Sequence, residues 1–273
     1  MITLKLKRQP TVTLEAEQVS PDVFADLTND QIRAQRVYHG KRALRLDDFF
    51  EIEGERSDEI EVVGDLSRVR MLGNRMSRGR LTIRGDIGMH LGVHMSGGEI
   101  TVHGDATDWV GAEMSGGLIR VHGNAGGQVG AAYRGSLAGM SGGTIIVDGN
   151  ARIEVGMRMR RGTIVIGGAA GDFAGLQMKG GTIALLGGAE IRTGAWMQRG
   201  TIISLKPLQM MPTFSRSADY NPTFMNVYAK HLGERFGISL PHLADQGAYS
   251  RYCGDKSVPG KGEILVWQTA GVA

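Results

Sequence analysis

Four histidines are the side chains of this 273-residue sequence with the most potential for metal or acid–base chemistry: His90, His94, His103 and His122. His103 and His122 are 19 residues apart, and Arg84 and Asp148 occupy corresponding positions of the repeat described below. We expect Arg84, His103, His122 and Asp148 to form a ladder on an outer face, with the two histidine rings about 5 Å apart. Such spacing suits a metal site, but a solvent-facing polar ladder accounts for it without metal, and we predict the ladder.

Familiar catalytic patterns are missing from the sequence. It has no Gly-x4-Gly-Lys-Ser/Thr loop, and the glycines of 167–171 belong to a periodic array of corners rather than to a phosphate loop that leads into a helix. His90 and His94 are four residues apart but lie in predicted coil, where this spacing gives no metal geometry. There is no Gly-x-Ser-x-Gly elbow, and Cys253 has no evident partner. We therefore predict no catalytic, cofactor-binding or metal-ligating residue in this chain.

Composition narrows the function classes further. The net charge is only +3, from 31 basic and 28 acidic residues, and 16 aromatic side chains are spread thinly, so a nucleic-acid partner is not expected. A single cysteine excludes a disulfide framework and indicates a reducing compartment. No run of 18 apolar residues occurs, and the first residues lack the apolar run of a signal peptide. We predict a cytoplasmic protein without a membrane partner.

An internal repeat dominates the chain. Its register is marked by seven methionines: Met76, Met95, Met114, Met140, Met159, Met178 and Met197. Successive methionines are 19 residues apart, except for one interval of 26 that contains the seven-residue insertion 133–139. With a looser unit that begins near Ile60, the repeats cover roughly 55–206.

Glycine recurs at three fixed positions of the repeat. The first column is Gly79, Gly98, Gly117, Gly143, Gly162, Gly181 and Gly200; the second is Gly85, Gly104, Gly123, Gly149, Gly168 and Gly187; the third is Gly92, Gly111, Gly130, Gly156, Gly175 and Gly194. A corner that needs positive φ, or that leaves no room for a side chain, requires glycine at the same place in every turn. We predict that these columns are the corners of stacked coils.

Between the first two glycine columns lies a short strand with alternating apolar residues, such as Ile100-Thr101-Val102. We expect its two apolar positions and the methionines to point inward as ladders. Nineteen residues are too few for two helices, do not divide by six, and lack the repeated aspartates of a calcium-binding roll. The predicted fold is dominated by β-structure: a right-handed parallel β-helix of about seven to eight 19-residue coils, with small α/β terminal caps.

A carbohydrate-active β-helix is the enzymatic alternative, and it requires two carboxylates about 5–10 Å apart in a groove. The repeated acidic positions lie directly after a glycine corner: Asp86, Asp105, Asn124 and Asn150. This column ends at Ala169 and Gly188. Asx side chains at such positions commonly close a turn, and we interpret the column in that way.

The ends leave the repeat and are predicted to cap it, as residues 1–54 and 207–273. We expect a strand pair from residues 2–7 and 11–14, and a short helix capped by Ser20 that begins at Pro21. A longer helix is predicted from an Asn221 cap and Pro222 to Gly237, with Phe224, Val227, Tyr228 and Leu232 on its buried face. Residues 263–267 form a predicted edge strand.

The glycine-rich repeat, with units such as residues 110–117 and 156–162, resembles the C-terminal β-helix of glutamate synthase. The flanks make a closer resemblance, through Leu46-Asp-Asp-Phe-Phe-Glu-Ile-Glu-Gly54, the insertion with its borders (131–140), and Tyr220-Asn-Pro-Thr-Phe224. With them, nearly the whole chain resembles the C subunit of formylmethanofuran dehydrogenase and of the related formyltransferase/hydrolase complex.

The resemblance implies a scaffold without catalytic residues of its own. It implies formyl transfer from formyl-tetrahydromethanopterin to a methanofuran-like carrier and release of formate, in one-carbon metabolism and formaldehyde oxidation. It implies three partners: a formyltransferase, a zinc-containing amidohydrolase-like subunit and a further subunit. The arginine bias (23 Arg, 8 Lys) favours this bacterial complex over the molybdenum or tungsten dehydrogenase, which is the alternative. We expect the insertion, with Tyr133, Arg134 and Leu137, to contact a partner subunit.

Overall fold

The computed structural model describes residues 1–242 and 245–269, and the regular secondary structure of these residues is mostly β. The first strands are β1 (Ile2–Leu6), β2 (Leu14–Glu15), β3 (Arg36–His39), β4 (Arg42–Arg45) and β5 (Phe50–Gly54). The repeat region contains β6 (Glu59–Val63), β7 (Val69–Arg70), β8 (Arg80–Arg84), β9 (Glu99–Val102), β10 (Leu118–Val121), β11 (Ser141–Val147), β12 (Arg161–Ile166), β13 (Lys179–Leu185) and β14 (Arg199–Ser204). The last strands are β15 (Ser215–Tyr220), β16 (Gly247–Gly254) and β17 (Gly262–Thr269). The helices are α1 (Pro21–Phe24), α2 (Asn29–Arg33) and α3 (Phe224–Phe236), with a 3-10 turn at Leu46–Asp48.

One large mixed sheet of 13 strands organises the molecule, in the order β15-β16-β17-β14-β13-β12-β11-β10-β9-β8-β6-β1-β5. From β6 to β14 each strand of this sheet pairs in parallel with the equivalent strand of the next repeat. A second parallel ladder, of single bridges, joins Leu66, Ile87, Ala106, Ala125, Ala151, Ala170 and Ala189. The repeats are therefore joined by two parallel ladders.

The core runs along this stack of repeats. The seven methionines of the register are fully buried, and so are both apolar positions of each strand from β8 to β14, except the second position of β14, Ser204, which is also buried but polar. The inward Met and aliphatic ladders predicted above are confirmed by this burial. No helix among the described residues is long and apolar enough to cross a bilayer.

The N-terminal strands differ from the predicted pair. β1 lies between β5 and β6 in the large sheet, whereas β2 joins a second sheet of order β4-β3-β2-β7. The prediction that residues 2–7 and 11–14 pair with each other was therefore wrong, because β1 continues the parallel ladder instead of closing a hairpin. α1 does begin at Pro21, but its N-cap Ser20 makes no side-chain capping bond.

The C-terminal segment corrects three further predictions. The N-cap of α3 is Thr223 and not Asn221, whereas the helix does end at Gly237 (φ 71°). Of the residues predicted on its buried face only Leu232 is buried, together with Met225 and Phe236, while Val227 is 69% exposed. β17 is an inner strand, parallel to β14 and antiparallel to β16, and not an edge strand. Residues 243–244 and 270–273 of the predicted C-terminal cap lie outside the described residues.

α3 covers a second buried cluster that the alternating pattern did not predict. The outward residues of four strands are apolar, namely Ile146, Val165, Ala184 and Ile203, and they pack with the buried side chains of α3. The signal for this burial was present in the sequence, since β11 and β12 have three consecutive apolar residues where β9 alternates.

Candidate interface for a partner

The insertion 133–139 lies between the buried Ala132 and Met140, the last and first residues of two successive repeats. Tyr133 is half-buried, Arg134 is exposed, and Leu137 is the most exposed large apolar side chain described, at 71%. The predicted contact residues therefore differ in role: one anchors the loop and two face outward.

Tyr133 fixes the insertion to the preceding repeats. Its ring stacks on Trp109, with centroids 4.7 Å apart and an angle of 22°. Its hydroxyl lies 2.7 Å from Nδ1 of His90, and its backbone N–H donates to Oε1 of Glu113 at 3.0 Å. Burial and then the Glu113 charge raise the pKa of Tyr133 to about 12. Burial, followed by the Arg70 charge, lowers the pKa of His90, which favours the neutral ring beside the tyrosine hydroxyl.

The second half of the insertion rests on Arg158. Its guanidinium donates to the Ser136 carbonyl and, at 2.7 Å, to Oε1 of Gln177, while its own carbonyl accepts from Gly139 N–H at 3.0 Å. Leu137 projects from this support. A groove of about 430 Å³, here called the insertion groove, is lined by Leu137, Arg158, Gln177, Lys179, Trp196, Gln198 and Val258.

Trp196 separates the insertion groove from a second cleft. This tryptophan is 49% exposed, and its backbone N–H donates to Oδ2 of the buried Asp255 at 2.9 Å. Burial opposes ionisation of Asp255, but hydrogen bonds from Ser257 and Trp196 lower its pKa. The second cleft, of about 530 Å³, is formed by Phe173, Arg192, Ala195, Trp196, Met211, Pro212, Thr213, Asp255 and Ser257. The aromatic side chain is thus presented from a rigid base.

Two columns of non-glycine residues with left-handed backbone define this face, and residue-type reasoning missed them. One is Met71, His90, Trp109, Gln128, Glu154, Phe173 and Arg192; the other is Arg75, His94, Glu113, Arg158, Gln177 and Trp196. In both columns the backbone N–H points to the next repeat, as in His90 to Asp108 O (3.0 Å) and His94 to Ala112 O (3.0 Å). In the sequence these residues are marked only by their position. The first column lies two residues before the third glycine column, and the second lies two residues after it.

The polar ladder predicted from the histidines is confirmed. The rings of His103 and His122 are 5.2 Å apart and nearly parallel, and Nδ1 of His122 lies 2.7 Å from Oδ2 of Asp148. Arg120 also binds Asp148, at 3.1 Å. Burial, then the charges of Arg84 and His122, lowers the pKa of His103. Residues 1–242 and 245–269 contain no group of three or more His, Cys, Asp or Glu side chains arranged to hold a metal ion.

The Asx column ties one repeat to the next. Each side-chain oxygen accepts from the backbone N–H one repeat later: Asp86 from Asp105 (2.8 Å), Asp105 from Asn124 (2.7 Å), Asn124 from Asn150 (2.9 Å) and Asn150 from Ala169 (2.8 Å). The sequence pattern predicts that these side chains close a turn within one repeat. The structure shows instead that their hydrogen bonds join the corners of successive repeats.

A carboxylate pair does line one groove, of about 710 Å³, along the first glycine column. Arg80 lies between Glu59 and Glu99, at 3.0 Å and 3.7 Å from their carboxylate oxygens. All three side chains are about half exposed. A general acid needs a carboxyl kept protonated by an apolar pocket, whereas both of these carboxylates face a guanidinium in water. The groove does not favour glycoside hydrolysis.

Comparison with known proteins shows which family and which relatives this chain resembles. The family model described as the GXGXG motif matches residues 66–218. Over 96 residues the chain is 38% identical to the C subunit of the tungsten-containing formylmethanofuran dehydrogenase 2 of Methanothermobacter wolfeii, which is 33% of this chain and 36% of that protein. Over 83 residues it is 46% identical to the C subunit of the molybdenum-containing formylmethanofuran dehydrogenase 1 of Methanothermobacter thermautotrophicus. This match covers 30% of this chain and 21% of that protein. The matched segment thus spans about a third or less of these curated relatives.

A solved structure is similar over almost the full length. A chain of the crystal structure of the formyltransferase/hydrolase complex from Methylorubrum extorquens, in complex with methylofuran, superposes with a TM-score of 0.88 at 32% sequence identity. The alignment covers 97% of this chain and 98% of that one.

Proposed function

The chain belongs to the GXGXG-motif family, together with the C subunit of formylmethanofuran dehydrogenase and its counterpart in the formyltransferase/hydrolase complex, and we propose that it is a non-catalytic structural subunit of such a complex. The observation that carries the proposal is the full-length superposition, which extends beyond the repeats to both ends. The curated dehydrogenase subunits match only about a third of the chain.

In this proposal the complex transfers a formyl group from formyl-tetrahydromethanopterin to a methanofuran-like carrier and releases formate. A formyltransferase and a zinc-containing amidohydrolase-like subunit perform the two reactions, and the assembly includes a third partner. The non-catalytic role of this chain is supported by its histidine and Asx ladders. Their polar groups bond within the stack rather than converging on a cavity. The protein acts in the cytoplasm, for which the free Cys253 is the supporting observation.

We infer that the stacked repeats form a right-handed parallel β-helix of about seven to eight coils over 55–206, with caps at 1–54 and 207–273. The two parallel ladders, one of strands and one of single bridges, support this inference. At the ends, β1 pairs with β6 and β17 pairs with β14, so neighbouring segments cover the open edges of the ladder. The insertion contacts a partner through Tyr133, Arg134 and Leu137.

A second candidate is the C subunit of a molybdenum or tungsten formylmethanofuran dehydrogenase, which the 38% and 46% identity of the matched segments favours. The two candidates differ in the partners rather than in this chain.

Purification of the tagged protein from its native cells, with mass spectrometry and an assay of formyl-tetrahydromethanopterin hydrolysis, tests both candidates. Co-purified formyltransferase and amidohydrolase-like subunits with formate release are expected. A pterin–molybdenum or pterin–tungsten subunit would instead indicate the dehydrogenase. Recovery of the protein without any of these partners would contradict the scaffold role.

A further inference from the structure

We propose that the insertion groove binds an acidic polypeptide segment of a partner subunit, which inserts an apolar side chain between Leu137 and Trp196. The inference rests on the proposed function, because it presupposes that the protein works within a complex. It adds the place and the chemistry of one contact.

The walls of the groove are two columns of the stack. One wall is Arg158, Gln177 and Trp196, the left-handed positions of three successive repeats. The other contains Lys179 and Gln198. At one end Lys261 N–H donates to Gln198 O at 2.7 Å, and at the other Arg160 occupies the position of Lys179 one repeat earlier. Stacked positions follow one another at about 4.8 Å, so an extended segment can lie across several repeats.

The charge of this region is one-sided. Neither Arg158 nor Lys179, the two basic residues that line the groove, forms an ion pair with a described acidic residue, and neither do Arg160 and Lys261, which continue the second wall. Arg158 donates only to an amide and a carbonyl oxygen. In the first repeats, by contrast, Arg80 pairs with Glu59 and Arg84 with Glu61. Four cations along the groove, without acidic partners in the described part of the chain, favour a ligand that supplies carboxylates.

The apolar part of the groove favours a polypeptide over a simple polyanion. Leu137 and Trp196 are among the most exposed large apolar side chains, and they line the same groove. Both are held by the scaffold, Trp196 through Asp255 and the insertion through Arg158. A half-exposed tryptophan on a rigid base beside basic side chains is typical of an interface anchor with a charged rim.

Carbodiimide cross-linking of the purified complex tests this inference, because the reagent joins lysine amines only to carboxylates in contact with them. We expect Lys179 and Lys261 to be linked to Asp or Glu residues of one segment of a partner subunit, identified by mass spectrometry. If the complex is intact but both lysines remain unlinked and acetylate as readily as in the isolated protein, the groove is empty and the inference is wrong, while the structural role stands. If no partner is recovered at all, both fail.

Charge reversal supplies the matched variants. Lys179→Glu with Lys261→Glu should weaken retention of the partner about tenfold or more, with the loss smaller at high salt. Lys206→Glu with Lys230→Glu changes the net charge equally at sites away from the groove and should have little effect. Trp196→Ala should weaken retention about 30-fold, with thermal unfolding as the check of folding. Equal effects of the two double variants, or release of the partner by nuclease, would overturn the proposal.

Discussion

The Tyr133–His90 hydrogen bond joins the insertion to a residue of the stack that is itself in a left-handed conformation (φ 66°). Either group can donate in this bond, because a hydroxyl both donates and accepts and the ring tautomer sets the role of Nδ1. The charged groups that act on His90 are Arg70, Asp108 and Glu15, and burial has a larger effect than each of them and lowers its pKa. The anchor of the candidate interface is therefore sensitive to pH.

His90→Gln tests this sensitivity, because glutamine retains an acceptor for Tyr133 but does not titrate. The folded-state pKa of His90 is lowered, so as the pH falls below the unfolded value, about 6.5, the unfolded chain takes up the proton first. The stability that the neutral pair contributes is present above that pH and is lost as the pH falls toward the folded pKa. We expect the stability of wild type relative to His90→Gln to decrease from about pH 7.5 to about pH 5, by denaturant unfolding.

His103→Gln is a suitable control for the same series, since His103 also has a lowered pKa but does not contact the insertion. As the pH is lowered, binding of partner subunits should weaken in wild type and in His103→Gln. It should weaken less in His90→Gln. A difference between wild type and His90→Gln that is constant with pH would contradict the prediction.

Some glycines of the repeat are required by a positive φ, and others because no space is left for a Cβ atom. Substitution by alanine distinguishes the two reasons. Gly111 has φ 60°, and an added Cβ would lie 2.5 Å from Cδ1 of Ile145, so Gly111→Ala should cost about 3 kcal/mol through strain and overpacking. Gly135, in the insertion, has φ 90° but open space around it, so Gly135→Ala should cost only about 1 kcal/mol. Equilibrium denaturation measures both.

Gly104 provides the third case, because its φ is not in the left-handed region while an added Cβ would lie 2.6 Å from the Gly85 carbonyl. Backbone of the preceding repeat cannot move aside as a side-chain methyl can, so Gly104→Ala should destabilise at least as much as Gly111→Ala. If Gly104→Ala were instead as mild as Gly135→Ala, close stacking would not be the reason for this column.

Periodic features were predictable from the sequence because the same constraint acts on every repeat. The methionine ladder and the His103–His122 spacing follow from register alone. Contacts made once were not predictable in this way: the helical pattern assigned Val227 to the buried face of α3, but the outward residues of β11–β14 decide that face. The left-handed columns were also missed, because their conformation is compensated by backbone bonds between repeats and not by residue type.

The candidate interface was predictable only in part for the same reason. An interruption of the period drew attention to Tyr133, Arg134 and Leu137, but nothing local pointed to Trp196. Its exposure results from its place at the last repeat, where Asp255 of the following segment replaces the carbonyl that a further repeat would offer. Lys179 and Lys261 are far apart in sequence and become neighbours of one groove only through the stacking.

The assembly of the stack makes the insertion separable from the fold. Ala132 and Met140 are the last residue of one repeat and the first of the next, so deletion of 133–139 restores the regular interval between methionines. The deletion removes the Tyr133–Trp109 stacking and the bond to His90, at a cost of about 2 kcal/mol. We expect a folded variant with a lower melting temperature that retains its partners poorly.

Leu137→Ser separates loss of contact from loss of stability, because it keeps the loop and its anchor but removes the exposed apolar side chain. It should unfold as wild type does and bind the partner more weakly, whereas the deletion should be impaired in both measurements. A deletion variant that retains all its partners would show that the insertion makes no essential contact. One that fails to fold would show that the stack depends on the insertion, contrary to the restored period.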